Sequence, residues 1–121
     1  MPTSFYSDQE VAQLLDYASV RLELQNAFRD LALGQASIFP RSRTDCNELK
    51  LSAMGAIWQS REVAGIKAYT TVAEKFNFLI NLFDLAKNSP LAVLEANEIT
   101  RFRTAALTTL EIGRASCRER V

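Results

Sequence analysis

LKLSAMGAIW (Leu49–Trp58), the polar turn QSRE (Gln59–Glu62) and VAGIKAYTTV (Val63–Val72) read as two strands joined by a short connection. Both runs have strand length and contain no proline, and the polar tetrapeptide between them supplies the turn. FNFLINLF (Phe76–Phe83) follows almost at once. It is rich in side chains that pack well on a pleated surface, and Asp84 closes it. Lys87-Asn88-Ser89-Pro90 is a further turn, after which Leu91–Leu94 returns as a strand. Upstream, Ile38–Asp45 reads as extended, with Pro40 unfit for a central strand because it donates no ladder hydrogen bond.

Helices flank this meander. Ser7-Asp8-Gln9-Glu10 fits a capping box, with Phe5 available as a hydrophobic staple, and a short helix follows through Leu14 and Leu15. A second helix runs from about Asp16 to Leu33, where Val20, Leu24, Phe28 and Leu31 recur at helical spacing before Gly34 stops it. Asn97 caps a last helix through Leu110, with Ile99, Phe102, Ala106 and Leu110 on one side. The predicted fold is α+β: N-terminal helices, a mostly antiparallel or mixed sheet, then a linking helix.

Glu111–Val121 (EIGRASCRERV) differs from everything before it. It holds no apolar period and packs five charges into eleven residues. Reverse-translated with ordinary codons, it resembles read-through of a short-read sequencing adapter. Residues 111–121 are therefore expected to be a foreign tail outside fold reasoning, and the natural sequence is expected to continue past Leu110.

Setting the tail aside leaves 11 basic and 12 acidic residues in positions 1–110. That balance argues against nucleic acid or a membrane surface as the main partner, since both favour a clustered basic face. No apolar run approaches the roughly 20 residues that span a bilayer, and MPTSFYSDQE lacks the pattern of a signal peptide, so a cytoplasmic setting is expected. Cys117 lies in the tail, and Cys46 alone makes neither disulfide nor zinc site. The chain has no histidine, which removes His-dependent nucleophilic triads and most transition-metal sites from this segment.

Three basic positions stand out. Pro40-Arg41-Ser42-Arg43 opens the sheet region, Lys67 lies inside GIKAYTTV with Gly65 and Tyr69 on its strand face, and Arg103 precedes the small residues Thr104, Ala105 and Ala106. Small residues after an arginine let a ligand approach closely, with the guanidinium fork aimed at an anion. Asp45 and Asp84 read as strand-end and turn residues, and Cys46 as incidental. Met54 and Trp58 read as core, with a place in a pocket wall as the alternative.

The order of PRSRT, KLSAMGA, GIKAYTT, FNFLINLFD, SPLAVLEA and ITRFRTAA resembles the N-terminal half of the ornithine cyclodeaminase/mu-crystallin family, from about Phe5 to Leu110. The arginine-threonine-alanine-alanine segment and the glycine-x-lysine strand are its most specific pieces. The resemblance implies that residues 1–110 are a substrate-binding and dimer-forming domain, and that a Rossmann domain binding NAD or NADP follows the last helix. No G-x-G-x-x-G occurs in these residues.

It further implies that Arg41 or Arg43, with Lys67 and Arg103, grips a substrate carboxylate. Arg41, directly after the proline, is slightly favoured. Arg103 and Thr104 would also meet the nicotinamide end of the cofactor. Lys75 falls where a small hydroxyl residue is expected to touch it. The parent enzyme would pass hydride between an amino or imino acid and NAD(P), as an ornithine cyclodeaminase, with no catalytic residue in this part. Ketimine reductase, alanine dehydrogenase and a non-catalytic, crystallin-like binding protein are the alternatives within the family.

Overall fold

A computed structural model of the chain describes residues 3–119, with side chains described through Thr108. The elements run β1 (Ser4–Tyr6), α1 (Asp8–Leu14), α2 (Tyr17–Ala32), β2 (Ala36–Cys46), β3 (Leu49–Trp58), β4 (Val63–Val72), β5 (Lys75–Asp84), β6 (Ser89–Glu95) and α3 (Asn97–Glu119), with a 3-10 turn at Gln59–Arg61. The described residues form one six-stranded sheet in the order β1-β6-β5-β4-β3-β2. Four neighbouring pairs are antiparallel and β1 runs parallel to β6, so the expected α+β class with a mixed sheet holds.

β1 is absent from the sequence-based expectations, because three residues give no alternation to detect. Its presence corrects the role of Phe5. That residue is opposite Val93 in the sheet and 61% exposed, rather than stapled to α1. The capping box itself is present: Glu10 N donates to Ser7 Oγ at 3.2 Å and Ser7 N donates to Glu10 Oε1 at 3.4 Å.

α2 begins at the Asp16 cap as expected, and Gly34 ends it with φ +77°, a left-handed conformation that glycine adopts without strain. Its inward face differs from the expected stripe. Val20, Leu24 and Ala27 face Ile99 and Phe102 of α3, whereas Phe28 and Leu31 are well exposed. The buried position on the last turn is Asp30, which accepts from Trp58 Nε1 at 2.8 Å and Ser60 Oγ at 2.6 Å. Two strong donors across the helix–sheet junction make a carboxylate favourable where an apolar residue was expected.

α3 also corrects its expected cap. Ala96, not Asn97, accepts the first helical bond, from Thr100 N at 3.1 Å. The orphan amides of the first turn are satisfied by a distant side chain: Asn97 N and Glu98 N donate to Asp8 Oδ1 at 3.0 and 3.2 Å, and Asn97 Nδ2 donates to Asp8 Oδ2 at 2.7 Å. Asn97 Oδ1 instead accepts from Phe78 N at 3.0 Å and so fixes the helix start to β5. Phe102 and Ala106 are buried, with Phe102 stacked on Tyr17 at 4.6 Å between centroids. The side chains of the expected foreign tail, 111–121, lie outside the described residues. The backbone there continues α3 to Glu119 instead of ending at Leu110.

Candidate anion site beside an apolar cleft

The site depends on which face of the sheet each strand presents. Register places Met54 opposite Lys67 and Lys67 opposite Ile80. Ala56, Gly65 and Leu82 form the next rung, and Ser52, Tyr69 and Phe78 lie on the other side of the lysine rung. Cross-strand partners share a face, so these nine residues line one surface of the sheet.

On β2 the pairing shifts between Phe39 and Ser42, so Pro40 and Arg41 together oppose one residue of β3. An extra residue of this kind resets the alternation. Ile38, before the bulge, pairs with Ala56, and Arg43, after it, pairs with Ser52, so both belong to the Lys67 face. Without the bulge a one-residue slip would turn Arg43 to the opposite face. Pro40 sits where no ladder bond is needed, on an edge strand, as its chemistry demands.

Arg43 is held firmly. Its Nε donates to Ser52 Oγ at 2.9 Å and its Nη2 to Tyr69 Oη at 3.4 Å. Ser52 is 1% exposed and Tyr69 6%. Burial pushes the Tyr69 phenol up. Contacts with Arg43 and Ser52 and the charges of Arg41 and Arg43 outweigh it, so the phenol sits below its ordinary value. Lys67 places its ammonium 4.9 Å from the Phe78 ring centroid and 6.0 Å from that of Tyr69, a cation held over aromatic faces. Burial pushes its pKa down, and the charges of Arg103 and Arg41 push it further. Two of the other three cations expected from the sequence thus act on Lys67. Arg43 joins them through Tyr69.

Among the described residues, the ion pairs are Arg29–Asp30, Arg61–Glu23 and Arg101–Glu98. None of Arg41, Arg43, Lys67 and Arg103 has an acidic partner there. Cations gathered around a depressed lysine without a counter-ion make a candidate site for an anion. Beside them lies an open cleft of about 400 Å³, lined by Lys67 and Arg103 and walled by Met54, Ala56, Trp58 and Leu82. Met54 and Trp58 therefore take the pocket-wall role that was the alternative to core packing.

The remaining expected positions fall elsewhere. Lys75 opens β5 opposite Val72, at the tip of a hairpin whose turn residues Ala73 and Glu74 both have positive φ. Five residues of strand separate that rung from Lys67, about 17 Å, and it presents the other face. Thr104 is exposed on α3 and its Oγ1 donates to the Thr100 carbonyl at 2.8 Å. Asp84 accepts from Ala86 N and Lys87 N in a turn, as expected, and Cys46 is an exposed free thiol. No group of three metal-ligating side chains occurs among the described residues, nor does a helix long and apolar enough to cross a membrane.

The model of the ornithine cyclodeaminase/mu-crystallin family matches residues 1–112. The chain belongs to this family. Among solved structures it is similar to a probable ornithine cyclodeaminase from Bordetella pertussis Tohama I, with 37% identity, a TM-score of 0.89, and coverage of 93% of this chain and 36% of that one. An archaeal alanine dehydrogenase dimer with bound NAD shares 27% identity at a TM-score of 0.81, covering 88% of this chain and 35% of that one. The iminosuccinate reductase of Paracoccus denitrificans, solved with NAD+, shares the fold at 22% identity and a TM-score of 0.83, covering 91% of this chain and 37% of that one. No curated protein matches the chain.

This cyclodeaminase-family chain thus spans little more than a third of the solved relatives it matches. The described residues do not themselves build a dinucleotide cradle. The strand-to-helix turn after β1 starts with Asp8 and Glu10, acids that repel a pyrophosphate at the helix N-terminus, and no glycine-rich turn is present.

Proposed function

We propose that residues 1–110 are the part of an NAD(P)-dependent, ornithine cyclodeaminase-like enzyme that grips the carboxylate of an amino or imino acid. The supporting observation is the cation cluster: Lys67, depressed by burial and by the charges of Arg103 and Arg41, beside Arg43 fixed by Ser52 and Tyr69. A guanidinium whose own nitrogens are already anchored binds a planar carboxylate with little ordering cost. A fixed carboxylate fixes the substrate's Cα, and orientation of the reacting centre is what this half would contribute to catalysis. Arg103 and Thr104, on α3, would stand between the grip and the nicotinamide end of the cofactor. The redox chemistry belongs to the cofactor-binding part that the family relatives possess. An alanine dehydrogenase-type reaction is the second candidate, supported by the 27% identity to the archaeal enzyme.

The sheet face away from the cleft supports a homodimer. Leu51, Ile57, Ile66, Leu79 and Phe83 alternate onto it and all are exposed, a run of neighbouring apolar side chains of the kind that marks an interface. Sedimentation should report a dimer that Ile66→Glu dissociates.

Binding of acetate to the chain, followed by NMR, tests the grip. Lys67→Ala or Arg103→Ala should weaken it about 30-fold, the loss of one charge-assisted contact of about 2 kcal/mol. Unchanged affinity in both variants would remove the carboxylate assignment.

A further inference from the structure

Resting on the carboxylate grip above, we infer that the substrate carries an uncharged, apolar side chain, which lies along the floor of the cleft from Lys67 toward Trp58. Three successive rungs define that floor. Met54, Lys67 and Ile80 make the first, Ala56, Gly65 and Leu82 the second, and Trp58 with Val63 the third. Successive rungs on one face are two residues apart, about 7 Å, so the groove extends about 13 Å beyond the Lys67 rung. A linear chain of four to six carbons lies within that span and ends near the middle rung.

The middle rung is open because its side chains are small. Gly65 has no Cβ; one built there would sit 3.0 Å from Leu82 Cδ2 and 3.4 Å from the Asn81 carbonyl oxygen. Ala56 beside it adds a single methyl.

The chemistry of the lining selects the occupant. Its only charged members among the described residues are Lys67 and Arg103, both cationic, and it contains no Asp, Glu, Asn or Gln. Asp30, bonded to Trp58, is occupied by the indole N–H and the Ser60 hydroxyl, and Glu23, in the adjoining cavity that shares Trp58 and Arg103, is paired with Arg61. An ω-ammonium laid along this groove would lose water, gain no side-chain acceptor from the lining and share the cleft with two cations. An aliphatic or aromatic tail would gain burial at every rung. The sheet half of the site thus discriminates against diamino acids.

The test is an NMR titration of the chain with propanoate, hexanoate, 5-aminopentanoate and hexan-1-ol, read at the amides of Met54, Ala56, Gly65 and Leu82. Hexanoate should bind about tenfold tighter than propanoate, three methylenes being partly buried. 5-Aminopentanoate should be no tighter than propanoate, and hexan-1-ol should leave the Lys67 rung unshifted. Ala56→Leu, at an exposed position, should bring hexanoate down to the propanoate level while propanoate itself is unaffected. Tight binding of 5-aminopentanoate, equal affinity across the series, or indifference of hexanoate to Ala56→Leu would each overturn the apolar assignment and leave the grip standing. If no carboxylate binds, or if hexanoate ignores Lys67→Ala, the grip fails and the apolar assignment with it.

Discussion

Asp8→Ala should loosen the helix that carries Arg103, although the two residues are far apart in sequence. The Asp8 carboxylate accepts from Asn97 N, Glu98 N and Asn97 Nδ2, at 3.0, 3.2 and 2.7 Å. Removing a helix cap costs about 1 kcal/mol, and hydrogen bonds to a charged group about 1.5–3 kcal/mol each before water replaces them. Asp8 is only half-buried, so water recovers part of this, and a net loss of about 2–3 kcal/mol is expected. For a chain of this size that lowers Tm by about 10 °C. Asp8→Asn retains an acceptor for the two amides but sets its NH2 against Asn97 Nδ2, so it should fall between wild type and Asp8→Ala. Gln9→Ala, one residue away and exposed, is the control and should change Tm by no more than a degree or two. Hydrogen exchange should accelerate first at Asn97 and Glu98. An Asp8→Ala protein that melts with the Gln9→Ala control would refute the long-range cap.

Asp30→Ala should cost about 1–3 kcal/mol in urea denaturation, because the Trp58 indole N–H loses its acceptor. The Asp30 carboxyl is held below its ordinary 3.8 by Ser60 and Trp58, so its contribution is present above pH 3.8 and disappears as pH falls through the lower folded value. Asp30→Asn should therefore flatten the acid limb of the stability profile; an unchanged limb would count against it. Lys67→Met should weaken acetate binding as Lys67→Ala does, yet stabilise the fold near neutral pH. With the folded pKa of Lys67 below 10.5, the unfolded chain binds more protons between the two values. Wild-type stability then rises with pH across that window, and the variant should lack the rise. Gly55→Ala should destabilise by about 1–3 kcal/mol, since its Cβ would run into the Phe39 ring and approach the Gly65 carbonyl oxygen at 3.0 Å. The double variant with Phe39→Ala should lose less than the sum of the two singles.

The strands β3 and β4 coincide with the boundaries read from residues alone, because uninterrupted β-forming runs bounded by polar turns leave little choice. Pro40 correctly marked β2 as an edge strand. Its second effect, the bulge that turns Arg43 onto the Lys67 face, depends on pairing with β3 and has no local signal. Asp30 and Asp8 escaped for the same reason. Each satisfies donors on a distant element, and a polar residue in a helix otherwise reads as solvent-facing. The four cations were recognisable through resemblance to the family, whereas Ser52 and Tyr69, which anchor one of them, follow only from register. Counting along the chain also does not show that the hairpin carries Lys75 to the sheet face away from Lys67.

Lys67 sits depressed among cations until an anion joins them. Titrating its Nζ by NMR, without and with saturating acetate, tests this directly. The free chain should show a Lys67 pKa below 10.5, and acetate should raise it, because a bound carboxylate stabilises the ammonium. Lys50, an exposed lysine on the neighbouring strand, should not respond to acetate. A Lys67 titration at the ordinary lysine value, or one that acetate leaves in place, would contradict the account.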